Sequence, residues 1–426
     1  MMREYIVSIE RNGDQIRVGS IFGTDVGDAS FAYDDKYLNS DDPVSISVSL
    51  PLQKEPFTPE QTKTFFDGLL PEGFTRRSVA QWLHFDENDY LSILHGLGKE
   101  CLGAIRISVE GEKDDESYEE IGEDQIRLLA AEGATKSTEI VAGTHLSLAG
   151  ASGKVGLYYD PTDKKWYLPH GLAPSTHIVK QSHVRLEGIV TNEQLSMLTA
   201  AKCGLNTAES FIINTGKGND SEVLYATKRY DRLINSNSKK VNVLERPFRL
   251  HQEDFAQAMG IPSANKYEPE GAEYALGMFY VLRRYSADPL ADMVALWDRI
   301  LFSYILGNND GHIKNYSLLR GINLKEIRLA PAYDIICTTV YENSTRKMSF
   351  NIGGKTDIND ISESSFRELA ASVGLGEKIA MDRFGKILNY FESSLRASAK
   401  ELTDLGFIGA ESMADKILIS RKNVFI

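Results

Sequence analysis

Hydrophobic periodicity shifts toward helical spacing near residue 245, and that shift limits the architectures open to this chain. Before it, apolar residues mostly alternate in short runs between a few helical stretches. After it, they recur at three and four. Tyr5-Ile6-Val7-Ser8-Ile9-Glu10 leads through Arg11-Asn12-Gly13-Asp14 into a second alternating run, Gln15 to Phe22. An Asn-Gly between such runs accepts the positive φ angles of a tight hairpin turn. Residues 44–50 read as a further strand, and Thr58-Pro59-Glu60 as a helix start, with Thr58 as cap and Pro59 at the first helical position, running to Leu70. Residues 1–108 therefore read as a small α+β domain, and the polar stretch 110–120 as a solvated connection. Strands follow at 155–159, 166–168, 177–180, 211–213 and 223–227, with a helix over 191–202 that ends before Gly204.

Beyond the change, helical spacing covers 252–259, 274–285, 292–306, 364–373 and 377–402. The third of these follows Asp288-Pro289, a cap and a first-turn proline, and Met293, Leu296, Ile300 and Tyr304 place one face in the core. A β-rich lobe followed by a helix-rich lobe suits a bilobal nucleotide-binding enzyme. The same order also fits many other α+β proteins.

Bulk properties remove several function classes. At 426 residues the chain holds two or three domains. Sixty acidic residues against 47 basic ones leave a formal charge of −13, which argues against a surface that is basic throughout, although a local patch can still meet DNA or an acidic partner. Cys101, Cys203 and Cys337 have neither zinc-site spacing nor a disulfide framework, so a reducing cytosol is the simplest compartment. Charges sit where a signal peptide would need its apolar core, and no segment is apolar enough to span a bilayer, so a cytoplasmic protein without membrane contact is expected. The eight histidines form no His-x3-His or His-Glu-x-x-His site, and no Gly-x-Ser-x-Gly elbow is present.

Chemistry concentrates at Gly307-Asn308-Asn309-Asp310-Gly311-His312-Ile313-Lys314-Asn315-Tyr316 and at Pro331-Ala332-Tyr333-Asp334-Ile335. An Asp-x4-Asn followed by a separate Asp is a phosphoryl-transfer layout: one Asp takes the proton of the attacking hydroxyl, and the Asn and second Asp hold Mg²⁺ on the nucleotide phosphates. A polar turn after a helix explains Asn308 to Gly311 equally well taken alone. His312 and Lys314 add a donor and a cation in the same loop. Asp334 lies between apolar residues, where an unpaired carboxylate is costly to bury and a metal ion removes the cost.

Weaker signals precede these. Ser147-Leu148-Ala149-Gly150-Ala151-Ser152-Gly153-Lys154 is small enough for backbone amides to approach phosphates, with Lys154 adding charge, although a plain hairpin turn accounts for it too. Lys180 ends an apolar strand, as a phosphate-binding lysine does; an edge-strand lysine facing water is the alternative. Glu193 is a candidate partner for it, or a first-turn glutamate compensating the helix dipole.

In that order these segments resemble the HipA family, the serine/threonine-kinase toxins of bacterial toxin–antitoxin pairs. Leu69-Leu70-Pro71-Glu72-Gly73, Ser147 to Lys154, Ser175 to Lys180, Lys228-Arg229-Tyr230-Asp231-Arg232, Leu250-His251-Gln252-Glu253-Asp254-Phe255, Gly307 to Tyr316 and Ala332-Tyr333-Asp334 carry the resemblance. It implies an α+β, bilobal, protein-kinase-like fold. The β-rich N-terminal lobe spans 125–235, an extra α+β subdomain spans 1–108, and an all-helical C-terminal lobe spans 236–426.

The resemblance also implies transfer of the ATP γ-phosphate to a Ser or Thr of a cellular protein, an aminoacyl-tRNA synthetase of glutamyl type being the target of known relatives. Asp310 would be the catalytic base, with Mg²⁺ on Asn315 and Asp334. Ala149, Gly150, Ala151, Ser152, Gly153, Lys154, Lys180, His312 and Lys314 would take the phosphates, with Tyr333 beside them. Backbone groups of Lys228, Arg229 and Tyr230 would take the adenine. Ser147 matches the family's autophosphorylated serine; a phosphate there would repel ATP and expel the loop, whereas a strand serine bonded to its own backbone is the plain alternative. A HipB-type helix-turn-helix antitoxin is the implied partner, with operator DNA reached only through it. A small-molecule kinase of aminoglycoside-phosphotransferase type and a co-repressor scaffold are the rival readings.

Overall fold

A computed structural model of the chain describes residues 3–97, 99–112, 115–132, 154–182 and 186–424. It divides into two compact units. One comprises Met1–Gln181, Ala226–Ser263 and Leu318–Ile327; the other comprises Ser182–Tyr225, Ala264–Ser317 and Arg328–Ile426.

In the first unit, strands Arg3–Arg11 and Asp14–Gly23 form the expected hairpin, with φ of 53° at Asn12 and 88° at Gly13. Ser30–Tyr33 pairs with the second strand and Ile105–Ser108 with the first, both antiparallel. Thr58 caps helix Pro59–Asp67 through a reciprocal pair of bonds with Gln61. Phe31, Phe57, Phe65 and Phe66 close the core between helix and sheet.

Residues 44–50, expected as a strand, form none. Side chains satisfy their backbone instead. Tyr33 accepts from the Ile46 amide at 2.9 Å and donates to the Leu50 carbonyl at 2.6 Å. Tyr37 bonds both backbone groups of Val44, and the Val48 amide donates to Glu253 at 3.1 Å. A segment whose donors and acceptors are met this way needs no neighbouring strand.

Within a six-stranded sheet, Glu116–Ile121, Lys165–Gly171, Lys154–Asp160 and His177–Gln181 of this unit are successive neighbours, each pair antiparallel. The polar stretch read as a connection therefore becomes an edge strand from Glu116 onward. Tyr118 anchors it, buried against Tyr158 and donating its hydroxyl to the Pro174 carbonyl at 2.8 Å.

Helices dominate the second unit: Ile189–Lys202, Tyr274–Tyr285, Pro289–Leu306, Glu363–Val373, Glu377–Asp404 and Gly409–Ser420. It is not all-helical, because Lys347–Ile352 and Lys355–Asp357 form an antiparallel pair. Nor does a boundary at 236 hold. Ala226–Ser263 and Leu318–Ile327 group with the first unit, where Arg249 bonds Glu100 and the Arg320 amide bonds the His251 carbonyl. Residues 252–259, expected as one helix, split into strand Gln252–Asp254 and the short helix Phe255–Ala258, which Asp254 caps. Helix Pro289–Leu306 was expected to bury one face, but every residue from Leu296 to Leu306 is buried. Its charged residues are paired accordingly, Asp298 with Arg383 and Asp292 with Arg328. Among the described residues, no helix is long and apolar enough to cross a membrane.

Candidate active site

The loop carrying Asp310 is built from the end of helix Pro289–Leu306. Gly307 stops the helix with φ of 86°, and a Cβ there would lie 2.3 Å from Thr339 Oγ1. Only glycine meets both demands. Its carbonyl accepts from the Thr338 and Thr339 amides at 2.9 and 3.2 Å, and Arg421 donates to the Tyr304 carbonyl at 2.8 Å, adding a cation to the helix C-terminus. Asn309 is buried and structural: its side chain donates to the Thr345 carbonyl at 2.7 Å, and its own carbonyl accepts from Ser349 Oγ at 2.7 Å.

Asp310 stands exposed on this framework. Its amide donates to Asn308 Oδ1 at 3.1 Å, and its carbonyl accepts from the His312 amide and from Asn315 Nδ2, both at 2.8 Å. Tyr267 donates its hydroxyl to Asp310 Oδ1 and meets His312 edge-on, with ring centroids 5.3 Å apart. The bond through Nδ2 orients the Asn315 amide and points its oxygen, the atom type a hard cation prefers, the other way.

Asp334 is half-buried, so the expectation of a costly buried carboxylate does not apply. Its backbone marks the position instead: φ is +58°, a conformation that residues other than glycine adopt mainly where the surroundings require it. Ala332 anchors this loop through bonds to the Asn206 carbonyl at 2.8 Å and from the Ala208 amide at 2.9 Å. Tyr333 then joins the two loops. Its hydroxyl donates to the Lys314 carbonyl at 2.9 Å and lies 2.6 Å from Ser317 Oγ, which holds the Asp334 loop against the Asn315 turn. Among the described residues no three or more His, Cys, Asp or Glu side chains cluster as a metal cage. The set here is one carboxylate and one carboxamide, which suits Mg²⁺ where phosphates and water complete the shell.

In the first unit, Lys154 and Lys180 are direct cross-strand partners, so both ammonium groups leave the same face of the sheet. Ser147, Ala149, Gly150, Ala151, Ser152 and Gly153 lie outside the described residues.

In the segment Lys228–Arg232, both the backbone and the side chain of Arg229 are held. Its amide donates to the Thr176 carbonyl at 2.8 Å, its carbonyl accepts from the Arg232 amide at 3.2 Å, and its side chain is fully buried. Arg229 thus places its side chain in a buried ion-pair cluster while its backbone groups bond within the fold. Arg229 and Arg232 both reach Glu100 at 2.9 Å and Asp231 at 2.8 and 2.9 Å. Arg249 closes on Glu100 at 2.7 Å, and Arg246 links Glu10 and Glu116 at 3.1 and 2.9 Å. Gly103 donates its amide to Asp231 at 2.8 Å; a Cβ there would lie 2.7 Å from the Gln252 amide nitrogen. His251, in the Gln-Glu-Asp segment, bonds the Ile46 carbonyl at 2.6 Å, and burial beside Arg320 pushes its pKa down to about 3. It acts as a neutral structural donor.

Sequence reasoning missed Glu100 and Tyr267. Neither lies in a recognisable motif, and each matters only through partners more than 40 positions away. Glu193, a candidate partner for Lys180 or a first-turn glutamate, is buried as the fifth residue of helix Ile189–Lys202.

Comparison with known proteins places the whole arrangement. Residues 146–395 match the HipA-like C-terminal domain and residues 13–108 the HipA N-terminal domain. A putative kinase of Sinorhizobium fredii, Y4mE, is 31% identical over 386 residues, 89% of this chain and 88% of its own. The serine/threonine-protein kinase toxin HipA of Shewanella oneidensis is 24% identical, covering 78% of this chain and 75% of the toxin. A solved HipA structure, from the Shewanella oneidensis complex of HipA, HipB and operator DNA, superposes with a TM-score of 0.80 at 21% identity, over 98% of this chain and 97% of that one. That likeness establishes the α+β fold, and the two domain matches establish the family: this chain belongs to the HipA family.

Proposed function

We propose that this protein is an ATP-dependent serine/threonine protein kinase and the toxin of a two-protein module. The observation that carries the reading is the bond from Tyr333 to the Lys314 carbonyl, which ties the Asp334 loop to the loop of Asp310 and Asn315 in a HipA-family chain. Asp310, exposed on a main chain held at both ends, accepts the proton of the acceptor hydroxyl. Asn315 and Asp334 would hold Mg²⁺. ATP with Mg²⁺ supplies the transferred phosphoryl group and neutralises charge developing on it.

Lys154 and Lys180 serve the phosphates from their shared face, with His312 and Lys314 assisting. The backbone of Lys228, Arg229 and Tyr230 serves the adenine, and residues 149–153 are assigned to the phosphates. Ser147, which matches the family's autophosphorylated serine, is the proposed autophosphorylation site, and a phosphate there would repel ATP. The Shewanella relative's complex with HipB and operator DNA supports a helix-turn-helix antitoxin as partner, with DNA reached through it.

The test uses γ-labelled ATP and Mg²⁺. Asp310→Asn is expected to lower label transfer into protein about 10²–10⁴-fold, the usual contribution of a general base. Full transfer by that variant sinks the reading.

A further inference from the structure

We infer that Tyr267 is a positioning residue for Asp310; the inference rests on the kinase reading above. The main-chain bonds at Asp310 fix the backbone and do not by themselves set the side-chain torsions. An exposed carboxylate in that situation samples several rotamers, and ordering it costs entropy. The Tyr267 hydroxyl donates to Oδ1 and restricts that freedom, holding the carboxylate in one orientation. A base works best when a third group orients it before the acceptor arrives.

Tyr267 can do this because its own segment is pinned. The neighbouring Glu268 amide donates to the Ser349 carbonyl at 2.9 Å. The Glu268 carboxylate accepts from the Tyr274 amide at 2.7 Å, the Asn351 amide at 3.0 Å and Asn351 Nδ2 at 2.6 Å. Tyr274 in turn donates its hydroxyl to the Asn265 carbonyl at 2.6 Å. These bonds tie residues 265–274 to strand Lys347–Ile352, which also holds Asn309 through Ser349. Tyr267 and the Asp310 loop therefore share one support. The ring adds orientation: its edge-to-face contact with His312 fixes the plane, and Lys266 Nζ lies 5.6 Å from its centroid.

Tyr267→Phe in the full chain keeps the ring and deletes the donor. With γ-labelled ATP and Mg²⁺, label transfer into the chain itself and phosphate release are followed together. The turnover number is expected to fall about ten- to a hundredfold, the cost of a misplaced reacting group. KM for ATP and the melting temperature stay at wild-type values. In an Asp310→Asn background, adding Tyr267→Phe costs nothing further, because the group it positions is already gone.

A Tyr267→Phe protein with wild-type turnover, a rise in KM alone, or the same fold-loss in both backgrounds overturns the assignment. The two readings separate cleanly. Turnover that needs Asp310 but ignores Tyr267 removes this inference alone, whereas turnover independent of Asp310 removes the kinase reading and this inference with it.

Discussion

Glu100→Gln should destabilise the protein by about 3–5 kcal/mol, the range for removing one partner of a buried ion pair. The Glu100 side chain is 2% exposed. Its Oε1 accepts from Arg229 Nη1 and Arg232 Nη2, both at 2.9 Å, and from Ser175 N and Oγ at 3.1 and 3.2 Å. Its Oε2 accepts from Arg249 Nε and Nη2 at 2.9 and 2.7 Å. Glutamine can keep the first oxygen, but its amide nitrogen then faces two guanidinium donors, so two charge-assisted bonds are lost at roughly 1.5–3 kcal/mol each. The charge goes as well. Arg229, Arg232, Arg246 and Arg249 are balanced by Glu10, Glu100, Glu116 and Asp231, and the substitution leaves a buried positive excess. Against a total stability of about 5–15 kcal/mol, the loss is large.

The assay is the urea midpoint of the first unfolding transition, followed by tryptophan fluorescence from acid to neutral pH. Burial alone would push the Glu100 pKa up; the guanidinium groups of Arg232, Arg249 and Arg229 outweigh it and hold the carboxyl well below the usual range. A depressed folded-state pKa means the stabilisation is fully present above the unfolded value, about 4.3. It is lost only as pH falls through the folded value. The wild-type and Glu100→Gln midpoints should therefore differ at neutral pH and converge in strong acid. A difference below about 1 kcal/mol at pH 7, the scale of an exposed ion pair, would refute the claim that this carboxylate is charged, buried and central to the cluster.

Two further outcomes follow from the second unit. Gly307→Ala must hold a left-handed backbone, at about 1–2 kcal/mol, while its Cβ meets Thr339 Oγ1. A lower melting temperature with reduced label transfer is expected, since the Asp310 loop starts there; an unchanged protein would contradict the helix-stop argument. Asp334→Ala should remove the Mg²⁺-dependent part of ATP stabilisation, measured as the thermal shift with and without the metal, and a wild-type shift would exclude Asp334 as a metal ligand.

Much of the chain was legible because local rules decided it. Asn12-Gly13, the Thr58-Pro59 start, the Asp288-Pro289 start and Gly204 carry their conformations in residues a few positions apart. The Asp310, Asn315 and Asp334 pattern was legible for the same reason, being a spacing within two short loops. Residues 44–50 misled because alternation cannot show that Tyr33, Tyr37 and Glu253 will satisfy a backbone from the side. The burial of the Arg229 side chain was not legible, because its partner Glu100 lies 129 positions away.

The sequence by itself determined the family, the change from alternating to helical spacing, and the identity of the residues offered for phosphoryl transfer. Tertiary structure alone decided which residues orient them. Strand register put Lys154 opposite Lys180, Tyr333 bound one loop to the other, and Tyr267 reached Asp310. The physical reason is range. Turns, caps and periodicity are settled by neighbours in the chain, whereas a buried charge or an oriented carboxylate depends on partners that only folding brings within hydrogen-bond distance.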